Sequence, residues 1–144
     1  TMAANTQPIY TRKGNLTADG STTMSAGLVT ATGDYTGVSA NHQLVHTAGA
    51  DGSYVKRLKF VATGTNTASV ARIYLNNGSA NTTATNNQLI GQISLPGTTA
   101  INTAATAEPE YPLEMMIPPG FRLYVGLGTT VAASWICTAV AGDY

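Results

Sequence analysis

The sequence predicts an all-β domain, an antiparallel β-sandwich that is jelly-roll-like in the first instance and immunoglobulin-like in the second. Three observations lead there. Apolar residues recur in short runs with a period of two, and no stretch keeps a helical period. Gly, Pro and Asn clusters break these runs about every 8 to 15 residues, giving about eight strands. Charged residues make up only 10% of the 144, so Thr, Ser, Asn and Gly must supply the polar surface. Thr favours strands, while Asn and Gly favour tight turns.

The elements follow in order. Residues 1–8 are polar and uncharged and predict an N-terminal arm ahead of a single domain over 9–144. Gln7 to Lys13 is extended, with Pro8 placing it at an edge or a strand start. Leu16 to Asp19 is a short run, Thr22 to Thr32 is a strand or a strand broken at Gly27, and Gly33 to Asn41 is loop. Gln43 to Thr47 is a strand. Tyr54 to Ala62 follows, with Leu58, Phe60 and Ala62 on one face and Val55, Arg57, Lys59 and Val61 on the other. Ser69 to Leu75 turns Ala71, Ile73 and Leu75 one way and Val70, Arg72 and Tyr74 the other. A polar loop runs from Asn76 to Asn87. Leu89 to Leu95 aligns Leu89, Ile93 and Leu95 around Gly91, and Thr98 to Ala107 reads equally as strand or loop. Tyr111 to Ile117, Phe121 to Leu127 and Val131 to Val140 complete the set, the last carrying Trp135.

A chain of this size buries about 70% of its unfolded surface and needs neither disulfide nor metal to hold a core. Seven basic and seven acidic side chains cancel. Without a basic patch beyond Arg12-Lys13 and Lys56-Arg57, nucleic-acid binding is not expected. Neutrality also lets copies approach closely. No apolar run is long enough for a membrane-spanning helix. Thr1 to Thr6 does not resemble a secretory leader, and Met2 reads as an initiator. The single cysteine, Cys137, fits a reducing compartment.

No residue set predicts catalysis, a metal or a cofactor. His42 and His46, four apart on a strand, would share a face about 13 Å apart, too far to ligate one ion. Asp19, Asp51 and Asp143 sit beside Gly in turns, and Glu108 and Glu110 flank Pro109. None of the acids forms a recognisable carboxylate pair or calcium loop. Cys137 falls on the Trp135 face as a small buried hydrophobe. Arg72-Ile73-Tyr74 and Arg122-Leu123-Tyr124 repeat one pattern, placing Arg and Tyr together on outward faces. Those residue types concentrate at contact hot spots. Arg72, Tyr74, Arg122 and Tyr124 are therefore candidate interface residues. Gln7, Pro8, Ile9 and Tyr10, where the arm meets the body, are further candidates.

Several segments carry a family resemblance. They are the opening Ala3 to Tyr10, the central Thr47 to Leu58, Arg72-Ile73-Tyr74-Leu75-Asn76-Asn77-Gly78, and the ending Trp135 to Tyr144. In these the chain resembles virion structural proteins of tailed bacteriophages, most of all small capsid decoration, or cement, proteins. The resemblance implies a β-sandwich on the outer capsid surface of the virion, made in the bacterial host cytoplasm. Its partners would be the major capsid protein and further copies of itself, most often in a homotrimer. The alternative is a tail or receptor-binding module that takes carbohydrate, with Tyr35, Tyr54 and Tyr111 as its loop-proximal aromatics.

Overall fold

A computed structural model describes residues 9–10 (backbone), 27–32 and 34–144. The expected arm over 1–8, its contact candidates Gln7 and Pro8, and the run from Leu16 to Asp19 lie outside the described residues. The domain is all-β. Its strands are β1 (Ile9–Tyr10), β2 (Gln43–Thr47), β3 (Ser53–Ala62), β4 (Ser69–Asn76), β5 (Asn87–Leu95), β6 (Glu110–Ile117), β7 (Arg122–Leu127) and β8 (Trp135–Asp143). Two antiparallel sheets result, of order β1-β8-β3-β6 and β2-β7-β4-β5. The first strand pairs with the last, the second with the seventh, the third with the sixth and the fourth with the fifth. Two further ladders, β3 with β8 and β4 with β7, complete the sheets.

The period-two pattern explains the packing between the sheets. Val55, Leu58, Phe60, Ile117, Trp135, Cys137 and Ala139 face inward from the first sheet. Val45, Ala71, Ile73, Leu95, Leu123, Val125 and Leu127 meet them from the second. Trp135 is 0% exposed, as its position in the last apolar run predicts. Its indole N–H has no hydrogen-bond partner among the described residues, so packing alone holds it. Burial of a side chain of this size stabilises the fold by about 3 kcal/mol.

Bulges reset the alternation where the expected faces fail. The β3 register shifts between Val55 and Arg57 against both neighbours. Val55, expected opposite Leu58, is therefore buried beside it, while Lys56 is exposed. In β5 the register shifts opposite Ile73 and Tyr74, leaving Ile90 unpaired. Leu89 consequently turns outward to face Tyr74 rather than joining Ile93 and Leu95. An extra residue in one strand reverses the facing of everything beyond it.

The chain end also differs from expectation. Val131 to Ser134 is irregular, and β8 starts at Trp135 and runs to Asp143. The backbone of this segment bonds elsewhere: the Val131 N–H donates to the Val29 carbonyl and the Ala133 N–H to Asn66 Oδ1. Thr98 to Ala107 contains no named strand, only the isolated bridges Asn66–Thr98 and Ile101–Ala104.

Candidate interaction surface

The outer faces of the two sheets differ in chemistry. On the first sheet, Arg57 pairs with Glu110 at 3.9 Å and Lys59 with Glu108 at 3.0 Å. Both pairs are solvent-exposed and contribute well under 1 kcal/mol. That face is a solvated one carrying charges of both signs.

On the second sheet, register places side chains in rows. Leu44, Tyr124, Tyr74 and Leu89 lie abreast across all four strands. The next row is Thr47, Arg122, Asn76 and Asn87. On the other side of the aromatic row lie Gly126, Arg72 and Gln92. These rows carry two arginines and no carboxylate. Among the described residues neither Arg72 nor Arg122 forms an ion pair. The structure thus brings Arg72, Tyr74, Arg122 and Tyr124 together on one face; the repeated Arg-x-Tyr pattern predicts the outward facing of each pair, and the β4–β7 register supplies their adjacency.

The four residues are not equally available, which corrects the expectation of two equivalent outward pairs. Tyr74 is 1% exposed. The loop from Asp34 to His42 folds over it, and its hydroxyl donates to the Asp34 carbonyl at 3.3 Å. The His42 ring stacks on the Tyr74 ring with centroids 4.8 Å apart and planes inclined by 19°. Burial pushes the Tyr74 hydroxyl above the usual phenol range. Tyr35, on the same loop, is 59% exposed and lies under the Arg72 guanidinium, 4.1 Å from carbon to ring centroid. Arg72 reaches the Thr32 carbonyl at 3.5 Å, but its buried Nε has no partner among the described residues. The accessible members of the patch are therefore Tyr35, Arg72, Arg122 and Tyr124.

Nothing in the Arg-x-Tyr pattern announced Tyr35 as a member, because a loop thirty-seven residues upstream brings it there. A signal did exist in Gly126. Glycine inside a strand often marks a close approach, and a side chain at Gly126 would strike the His42 ring. Gly91 plays the same part on the inner face, where the Tyr111 ring occupies the space its side chain would fill. Tyr111 is thus a packing residue.

The histidines do not share a face. The β2 register shifts between Leu44 and His46, so His46 lies opposite the inward-facing Leu123. His42 sits over Gly126 on the outer face, and its Nδ1–H donates to the Gly37 carbonyl at 2.8 Å. Desolvation holds both imidazoles below their ordinary range, offset at His42 by the Gly37 bond and Asp34, and at His46 by the charge of Asp143. Burial pushes the Cys137 thiol well above the usual range, so it stays protonated and unreactive. No group of three or more His, Cys, Asp or Glu able to hold a metal ion occurs among the described residues. Backbone pairing sets Ile9 opposite Asp143 and Tyr10 opposite Gly142, which fixes the start of the domain on the first sheet, away from the arginine rows.

No family model, no curated protein and no solved structure matches this chain.

Proposed function

We propose that this chain is a non-enzymatic structural protein of a tailed-phage virion, a decoration protein that binds the outer capsid surface and stabilises the head. The observation that carries this reading is the asymmetry of the two outer faces. One carries both signs of charge, with two arginine or lysine side chains paired to glutamates. The other offers Arg72 and Arg122, neither in an ion pair among the described residues, beside Tyr35 and Tyr124 on a sheet-backed surface. Such a platform suits a broad protein surface bearing carboxylates, as bidentate arginine contacts and amphipathic tyrosine rings do elsewhere. Its partner would be the major capsid protein, and further copies would assemble into a symmetric oligomer, with a trimer favoured.

The strand order supports the finer fold reading. First-with-last pairing around a closed pair of four-stranded sheets is what results when one long antiparallel hairpin wraps on itself, the arrangement of a jelly roll. An immunoglobulin-like sandwich instead has sheets of order ABED and CFG. Jelly rolls serve as shell components and as lectins, so the fold alone does not select a function. The resemblance in sequence and the arginine–tyrosine face are what favour the decoration reading.

The test is direct. Purified protein added to undecorated heads should bind them and raise their melting temperature, because many copies act at once. Absence of binding and of any thermal shift at saturating protein would reject the reading.

A further inference from the structure

At one end of the sandwich a groove of about 290 Å³ opens between the β4–β5 loop and the turn before β7, lined by Leu75, Asn77, Thr85, Asn86, Gln88 and Phe121, with Asn87 beside them. Its walls are held rigidly. Gly78, at φ 92°, lies against the Gly120 carbonyl so closely that no side chain would fit between the two loops. The amides of the loop lock one another. Asn77 Nδ2 donates to Asn86 Oδ1 at 3.2 Å, and Asn76 Nδ2 donates to Asn87 Oδ1 at 2.8 Å. Asn77 Oδ1 accepts from the Ser79 N–H, and Asn86 Nδ2 donates to the Ala80 carbonyl.

Each carboxamide can make four hydrogen bonds. Asn77 and Asn86 therefore keep an N–H and a lone pair each, aimed in fixed directions. Gln88 adds an exposed amide to the groove. Leu75, the cross-strand neighbour of Gln88, and the half-buried Phe121 give the groove its apolar lining.

This composition selects a ligand class. No charged side chain lines the groove, so an ionic ligand would lose hydration with no counter-charge in return. A purely apolar ligand would strand the amides. A neutral molecule with hydroxyls on its edges and C–H groups on its face satisfies both walls. We propose that this groove binds a neutral saccharide ring, its face on Phe121 and its hydroxyls on Asn77, Asn86 and Gln88. Preformed walls lower the ordering cost of such binding. The inference does not rest on the capsid reading, since the groove borders the Arg122 row at Asn87 but none of its sugar-facing residues is an arginine or tyrosine assigned to head binding.

The experiment is a ¹⁵N NMR titration of the full chain. The probes are methyl glucoside, methyl galactoside, methyl mannoside and N-acetylglucosamine, each taken to about 50 mM to reach a Kd near about 1 mM. At least one should give saturable shifts of the Asn77, Asn86 and Gln88 side-chain amides. Phe121→Leu keeps an apolar side chain but removes the aromatic face, and Gln88→Ala removes the exposed amide. Each should weaken binding about tenfold while leaving head binding unchanged and costing no more than about 1 kcal/mol of stability. No saturable shift from any of the four sugars would overturn the proposal. So would shifts that survive both substitutions, or tighter binding of N-acetylneuraminic acid than of the neutral sugars.

Discussion

His42 seals Tyr74 into the outer face of the second sheet: its ring covers the tyrosine from above and fills the space over Gly126. A residue of an irregular loop thereby becomes part of the sheet's packing. The loop from Asp34 to His42 depends on this contact and on the Tyr74 hydroxyl bond to Asp34 for its place. Gly126→Ala should therefore act through the loop. We expect a destabilisation of about 1–3 kcal/mol from overpacking. In a urea-melt double-mutant cycle with His42→Ala, most of that cost should disappear, because the ring that the new methyl strikes is gone. Additive effects would refute this account of Gly126.

Stability should fall on mild acidification. Both His42 and His46 have their folded pKa lowered by burial from 6.5. Below about pH 6.5 the unfolded chain binds protons that the folded chain refuses, so their contribution is intact above that point and declines as pH falls toward the folded values. Melting temperatures between pH 7.5 and 5.5 should show it, at about 2–4 °C per kcal/mol lost for a domain of this size. The double variant His42→Gln, His46→Gln should melt with a flatter pH profile. An equally steep profile would assign the effect to other groups.

The arginine–tyrosine face makes a separable prediction. Arg122→Glu and Tyr124→Ala should each weaken association with heads by about tenfold or more, as loss of a contact hot spot does. Neither should lower stability by more than about 0.5–1 kcal/mol, because both side chains are only half-buried. On the opposite face, Lys59→Ala should leave head binding intact and change stability by less than about 0.5 kcal/mol. Equal effects from the two faces, measured by co-sedimentation with heads, would contradict the assignment.

The core should show the usual penalty for cavities. Phe60 is fully buried between the sheets. Phe60→Ala should cost about 3–5 kcal/mol in a urea melt. Met116, 65% exposed on β6, should tolerate Met116→Gln with no measurable loss.

Much of this architecture was legible in the residues themselves. The alternation of Ala71, Ile73 and Leu75, and that of Leu123, Val125 and Leu127, survives unbroken because those strands keep their register against each other. Val55, Leu89 and His46 went astray for a common reason: one unpaired residue in or beside each strand flips the facing, and no local propensity marks where it falls. The β8 start was misplaced because Val131 is buried like a strand residue although its backbone serves a loop. At the candidate surface, Arg72, Arg122 and Tyr124 could be read from the pattern. The covering of Tyr74 and the arrival of Tyr35 could not, since both depend on contacts between segments distant in sequence. The amide groove was equally hidden. Asn77 and Asn86 look like ordinary loop polarity until hydrogen bonds fix their directions.

Pairing the outermost strands with each other also dictates how this chain can fold. The β4–β5 ladder closes over a short loop and can form early. Each rung outside it must enclose a longer span, so its closure costs more entropy and waits for the one within. The rung of Ile9 against Asp143 cannot zip until the chain through Asp143 has left the ribosome. A nascent chain halted before β8 would hold β3 with one flank bare, the condition that invites mispairing with a neighbouring nascent copy.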